Sequence, residues 1–453
     1  MATGVRCLAL RFTIPAAGLA ATTALALLYQ LDPESYYQIL ALIGFRPNRY
    51  PFSDFQAVLE SVDYWQHGID VYEIYEKGRF SYPPLWLRFA FLPGVEGTNP
   101  LGLCLAVSFF LALAILPPPG SGKELLPRLV ATLSPVTAFA VERGNIDLLM
   151  FGIATAAGVL LLGPLRRRAA AYAMIVIAAL LKIYPLVLMV LTLRERPRVF
   201  LLVNGAAAAI VLATGVYFHG ELARALLNLG PSGPFSSAFG AHYLPDVIVG
   251  MDTLPLPDVI VGMLGMLHPG FSPRLVRLAI FAALFLAMAG WFFRMVRWRN
   301  LRSALTRLPV SEKMFLLIGA ALIGGCFFAG TNNGYRGIHL LFTLPGLLAM
   351  ARMEDDVRRM AVQGCVLVVA LTWAGFFMQQ GPFRQILLAL GIGKFASAAV
   401  VGFLWLLSQI AWWQVVTLFI AILIACCSTW LEAVMPARIM GRVQLWTERS
   451  LGA

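Results

Sequence analysis

Charge is scarce in this chain. Asp, Glu, Lys and Arg make up 13% of its 453 residues, about half the share of a soluble domain, while 59% of the residues are apolar. Apolar runs of membrane length recur throughout, which excludes an ordinary soluble fold and predicts an all-α polytopic membrane protein. Metal-ligand and disulfide patterns are also missing. The six cysteines (Cys7, Cys104, Cys326, Cys365, Cys426 and Cys427) lie mostly inside apolar runs and have no ligand spacing, so they read as small buried hydrophobes. No phosphate-binding G-x-x-x-x-G-K-[ST] loop, dinucleotide fingerprint or zinc motif is present. The fragment PPPGSGKE at 117–124 departs from the first of these and has no strand before it, so it reads as a turn between helices. The net charge of +12 comes from short basic clusters between apolar runs, the positive-inside pattern, and nucleic acid is not expected as a partner.

The apolar runs fall near 12–29, 101–118, 125–141, 146–163, 169–193, 199–218, 272–293, 314–330, 337–351 and 361–378, with two more between 385 and 430. They predict about 11–13 membrane segments in one integral membrane domain spanning 1–453. Arg6 and Arg11 flank the first run, which is long enough to span and reads as a retained helix rather than a cleaved signal. The clusters Arg166–Arg168, Arg194–Arg198, Arg294–Arg307 and Arg352–Arg359 are assigned to the cytoplasmic side. Loops 30–100, 142–145, 219–271 and 331–336 then face the other side, which in a bacterial inner membrane is the periplasm. One segment resists a single crossing. Residues 169–193 have arginines at both ends and Lys182-Ile183-Tyr184-Pro185 in the middle. A broken hairpin satisfies both flanks, with a return limb starting near Pro185 and shielded by protein. A single kinked helix is the alternative.

The first outer loop concentrates acids. Asp54, Glu60, Asp63, Asp70, Glu73 and Glu76 are six of the 23 in the chain. Ser53-x-x-Gln56 fits a capping box, and Phe55, Val58, Leu59, Val62 and Trp65 recur at helical spacing, so an amphipathic helix along the membrane surface is expected here. Asp54 falls in its first turn, where free N–H groups and the helix dipole favour the ionised carboxylate. That suits a general base, and it equally suits an ordinary helix start. Phe80-Ser81-Tyr82-Pro83-Pro84 closes the loop in extended backbone. Tyr82 there is placed either against a sugar or lipid, or as an interfacial anchor.

Other polar groups gather at the outer ends of the spans. Glu142-Arg143-Gly144-Asn145-Ile146-Asp147 is a tight outer turn. Its Glu142 and Arg143 read equally as a functional pair or as partners of neighbouring chains, and Asn145 reads as the start of the next helix. Lys182 is costly at membrane depth without an anionic partner, which a lipid phosphate or an internal carboxylate would supply; snorkelling is the flat alternative. In the 331–339 cluster, Tyr335 and Arg336 precede His339. Arg336 suits a bidentate phosphate contact, and His339 shares its helix face if the helix has begun. His242 in the loop 219–271 is a weaker candidate, and Asp246, Asp252 and Asp258 read as solvated or turn residues.

In order, Ser53-Asp54-Phe55 with Tyr64, Phe80-x-Tyr82-Pro83-Pro84, Gly144-Asn145, Lys182-x-x-Pro185, and Tyr335-Arg336 followed by Pro345 span about residues 10–350. This ordered set resembles the glycosyltransferase family 87 type, the polyprenol-phosphate-mannose-dependent enzymes of the membrane GT-C group. Each motif alone is weak. The chain departs from the family in a less regular first loop and in Glu142-Arg143, where relatives commonly carry a glutamine just before the asparagine. The resemblance implies a GT-C-like fold, transfer of mannose or a related hexose from a polyprenyl-phosphate sugar to a glycan or lipid-linked acceptor, and no metal or other cofactor. It places the catalytic base at Asp54. Lys182 and Arg336 would hold the donor phosphate, with Tyr82, Glu142, Asn145, Tyr335, His339 and His242 as substrate-binding candidates. A transporter or flippase, or a polymerase using a diphosphate-linked saccharide, would share the broken helix and polar sites.

Overall fold

The computed structural model describes residues 2–45, 48, 50–73, 80–229, 237–249, 273–330, 332–353, 355–378 and 382–434; Glu76, Asp252, Asp258 and Thr331 lie outside these. The described part is helical. Its first half runs α1 (Ala2–Leu31), α2 (Pro33–Ile43), α3 (Ser53–Gln66), α4 (Thr98–Ile115), α5 (Gly122–Thr132), α6 (Pro135–Glu142), α7 (Asp147–Leu161), α8 (Leu165–Leu181) and α9 (Pro197–Tyr217). Short 3-10 helices occupy Pro84–Arg88, Tyr184–Arg194 and Gly334–Phe342. Among the described residues the only β-type pairing is one antiparallel bridge between Phe239 and Asn332.

Among the described residues six helices are long and apolar enough to cross a membrane: Ala9–Leu31, Val95–Ile115, Pro197–Tyr217, Leu278–Met295, Val310–Ala329 and Lys394–Trp430. Counting each bent pair as one span raises the number to eight among the described residues. This is fewer than the apolar runs predict, and three of those runs show why. Residues 146–163 and 169–193 become a 15-residue helix and a 17-residue helix with an 11-residue 3-10 return. Residues 337–351 become a 3-10 helix followed by Leu344–Met350. These stretches are apolar but short or interrupted, and composition alone does not separate protein from lipid as the apolar neighbour. The two runs after 385 join into one 41-residue helix, Lys394–Val434, preceded by the short helix Pro382–Ala389. Val310–Ala329 forms the centre of the fold: 72% of its span is buried, against 6% for Pro197–Tyr217 and for Leu278–Met295.

The break at Lys182 forms as expected. α8 ends at Leu181, Lys182 is extended at φ −157°, ψ 114°, and Pro185 sits in the first turn of the returning 3-10 helix. The two limbs close at their arginine-rich ends. Arg168 donates from Nε and Nη2 to Glu195 at 2.7 and 2.9 Å, and the Tyr172 hydroxyl donates to the same carboxylate at 2.9 Å. Both arginine flanks therefore lie on one side, and the Lys182 apex points to the other.

α3 is held differently from the capping-box expectation. Ser53 is inside the helix, and its hydroxyl accepts from Asn48 Nδ2. Gln56 donates to Glu60 instead of capping. The N-cap is Phe52, left-handed at φ 59° with no side-chain cap. The free donors at this end are taken by the last carbonyls of α6: Phe52 N–H donates to the Glu142 carbonyl, and Asp54 and Phe55 N–H donate to the Arg143 carbonyl at 3.0 and 3.4 Å. One helix's orphan donors thus meet another helix's orphan acceptors, with complementary dipole ends. α6 ends in a Schellman turn. Gly144 N–H donates to Val141 and Asn145 N–H to Ala140, both at 3.0 Å, with Gly144 left-handed at φ +58°.

Two expectations follow. Single cysteines placed at Arg166 and Arg196 should react with a membrane-impermeant thiol reagent from the same face of sealed vesicles; opposite faces would rule out the hairpin. Gly144→Ala should lower unfolding stability by ~1–2 kcal/mol from its positive φ. It should also loosen α3, because a Cβ there would meet Phe52 Cβ at 3.0 Å and Cα at 3.2 Å; thermal unfolding in detergent together with proteolysis within α3 measures both effects.

Candidate active site

Docking of α3 onto the α6–α7 turn brings Asp54 against Asn145. Asn145 Nδ2 donates to Asp54 Oδ2 at 2.6 Å. The same amide is fixed from its other end, because Asn145 Oδ1 accepts from the first N–H of α7 at Asp147 (3.0 Å) and from Lys182 Nζ (3.1 Å). Asn145 is fully buried, whereas the Asp54 side chain keeps a quarter of its surface exposed. Arg143 Nη1 stands 3.6 Å from Asp54 Oδ1. Burial pushes the Asp54 carboxyl above its ordinary value, against the opposing pull of the Asn145 hydrogen bond and the Arg143 and Lys182 charges.

Lys182 has an internal partner. Its Nζ lies 2.8 Å from Asp147 Oδ1, and the Asp147 side chain is fully buried. Asp147 Oδ1 also accepts from the Tyr184 hydroxyl at 2.6 Å, and Arg336 Nε lies 3.6 Å from Oδ2. A phenol has one proton and a carboxylate only accepts, so Tyr184 donates to Asp147. Its oxygen then accepts from His339 Nε2, at 2.7 Å. That assigns the His339 proton to Nε2 and leaves its buried Nδ1 without a partner. Arg336 and His339 converge here because they lie three residues apart in a 3-10 helix, where such side chains eclipse. Arg336 Nη1 donates to Asn332 Oδ1, and Asn332 is held by its own bonds to the Cys326 and Gly330 carbonyls.

Aromatic faces wall the Lys182 ammonium: the ring centres of Tyr82, Tyr335 and Tyr184 lie 5.6, 5.9 and 6.0 Å from Nζ. Trp86 Nε1 donates to the Leu181 carbonyl at 2.9 Å and ties the Tyr82-Pro83-Pro84 turn to the helix break. Glu142 is buried behind Asp54. It accepts from Asn48 N–H at 3.3 Å and pairs with Arg143 at 3.3 Å. A largely apolar cavity of about 440 Å³ extends from Glu142 and Phe52 along α1, from Gln30 down to Gly18.

Asp54, Asn145, Lys182, Arg336, Tyr82, Tyr335, His339 and Glu142 are thus brought into one neighbourhood. His242 is placed elsewhere, with its ring against Phe281 at 6.0 Å. Sequence reading gave no role to Asp147 or Tyr184. The available signal was an acid opening an apolar helix opposite an intramembrane lysine, a pair whose partnership sequence separation conceals. Among the described residues no cluster of His, Cys, Asp and Glu is arranged to hold a metal ion.

No family model matches the chain, and no curated protein does. Among solved structures the chain is similar to ArnT from Cupriavidus metallidurans in its apo state, at 15% identity over 89% of this chain and 78% of that one, with a TM-score of 0.25. A score that low does not bear on activity.

Proposed function

We propose that this protein is a membrane glycosyltransferase that moves a sugar from a polyprenyl-phosphate donor to an acceptor hydroxyl on the outer, periplasmic side of a bacterial inner membrane. The observation that carries the reading is the junction of a partly exposed carboxylate, Asp54, with the cations Lys182 and Arg336 through one buried amide, Asn145. The ordered family 87-like motifs supply the reaction class, with mannose or a related hexose as the sugar.

Asp54 would use Oδ1, since Oδ2 is engaged by Asn145. It takes the proton of the acceptor hydroxyl as that oxygen attacks the anomeric carbon. The bond from that carbon to the phosphate oxygen breaks, and the lipid phosphate leaves with the bonding electrons. A good leaving group and a single base favour one displacement with inversion, without the acid a glycosidase needs. Lys182 and Arg336 share one carboxylate, Asp147, so this trio keeps one positive charge in surplus. The phosphate gains negative charge as it departs, and that surplus is then most effective. Arg336, about a quarter exposed, is the outer phosphate contact, while Lys182 can offer only the donor not already committed to Asp147 and Asn145. The apolar cavity beside Glu142 suits a hydrocarbon chain, in keeping with a lipid-borne substrate.

Purified enzyme assayed with a panel of polyprenyl-phosphate sugars and amphiphilic glycoside acceptors tests this reading. Asp54→Asn should lower transfer ~10²–10⁴-fold while the protein still folds; full-rate transfer by that variant would remove Asp54 as base. Arg336→Gln should lower transfer ~10²-fold. The acid limb of the wild-type rate should lie above an ordinary carboxylate value, because the base must be ionised and burial raises its pKa.

A further inference from the structure

We infer that Asp147 is a positioning residue that holds Asp54 in its working orientation through Lys182 and Asn145. This rests on Asp54 being the base. A lone asparagine amide could face either way. Asn145 has one acceptor and one donor end, and a carboxylate neighbour is served only by the NH₂ end. The turn's own geometry directs Oδ1 to the Asp147 N–H at 3.0 Å, and Lys182 Nζ at 3.1 Å makes that assignment unambiguous, because an ammonium can only donate. Lys182 stays there because Asp147 Oδ1 holds it at 2.8 Å. Asp147 is itself immobilised: it opens α7, is fully buried, and receives the Tyr184 hydroxyl on the same oxygen. The chain of contacts runs from Asp147 to Lys182, to Asn145 Oδ1, across the amide to Nδ2, and to Asp54 Oδ2.

The same atoms place the substrate-facing oxygen. With Oδ2 tied to Asn145, Asp54 Oδ1 is the oxygen left on the Arg143 side, where a hydroxyl can reach it. If Lys182 lost its carboxylate, its ammonium would have no reason to stay on Asn145, and the amide would lose one of the two contacts that orient it.

This arrangement separates positioning from simple charge by the sign of one measurement. The charged and titratable groups around Asp54 are Arg143 and Glu142 from the end of α6, Asp147 from α7, Lys182 from the helix break, Tyr82 from the first loop, and Tyr335 with Arg336 from the 3-10 helix. As a bare negative charge, Asp147 raises the Asp54 pKa, so its removal should lower it. As the anchor of the Asn145 hydrogen bond, which lowers that pKa, its removal should raise it.

Infrared-detected pH titration of the Asp54 carboxyl in the detergent-purified full-length protein measures this. The band is identified by its loss in Asp54→Asn and needs no substrate. Asp147→Asn is expected to move the midpoint up by about one unit and to lower the transfer rate about 100-fold without raising the donor KM. The double variant Asp147→Asn/Lys182→Met removes the pair without changing net charge, which protects folding; because loss of the Lys182 charge raises the midpoint by itself, this variant bears on the proposal only through a fall or a standstill. A midpoint that falls or stays put in either variant would overturn the proposal. The titration stands apart from the rate of Asp54→Asn, so an inert base and an inert anchor give different results.

Discussion

A buried carboxylate at the start of α7 organises this site. Asp147 has no exposed surface and faces two cations, one of them itself nearly buried. Taking an ammonium to membrane depth costs on the order of 3 kcal/mol even by lenient scales, and an uncompensated charge within protein costs several more. Lys182 and Asp147 are therefore held together by what either would cost alone. Such a pair adds little net stability, but it tolerates few alternative geometries. The Tyr184 hydroxyl, the Asn145 amide and the Arg336 guanidinium all converge on it.

Interrupted helices are what make this concentration of polar groups possible. Lys182 lies where α8 stops, and Arg336 and His339 lie on a 3-10 helix. Asn145 lies in a Schellman turn, and Asp54 lies in a helix whose first donors are satisfied by another helix's last carbonyls. Regular membrane helices consume their own backbone polar groups and present side chains to lipid. Ends and breaks leave backbone groups and side chains free to pair across elements, and here four such ends meet. A largely apolar cavity opens next to Glu142, whose neighbour Arg143 faces Asp54.

Local patterns in the sequence were informative wherever the physics is local. The break at Lys182–Pro185 follows from proline chemistry and from the charges at both flanks, and the helix Ser53–Gln66 follows from its apolar spacing. The capping box did not form: the Gln56 N–H is taken by the Phe52 carbonyl, while the carbonyls of Glu142 and Arg143 take the neighbouring N–H groups of Phe52, Asp54 and Phe55. Serine and glutamine at the right spacing are permission for a cap, and here the N-cap falls one residue earlier, at Phe52. Among the described residues fewer helices than apolar runs are long enough to span, for a related reason. The runs 146–163, 169–193 and 337–351 are apolar enough for spans yet fold into short or interrupted helices.

By itself the sequence determined that the chain is helical and membrane-embedded, that its arginines segregate, that Lys182 is polar inside an apolar run, and that Asp54, Asn145 and Arg336 fall in polar loops and turns at the ends of such runs. Those properties depend on composition and on neighbours a few residues away. Tertiary structure alone decided which opposite charges meet. Asp147 is separated from Lys182 by 35 residues and from Arg336 by 189, and no short-range pattern links them. It also decided which end of Asn145 faces Asp54, because that choice is set by donors and acceptors arriving from three separate elements.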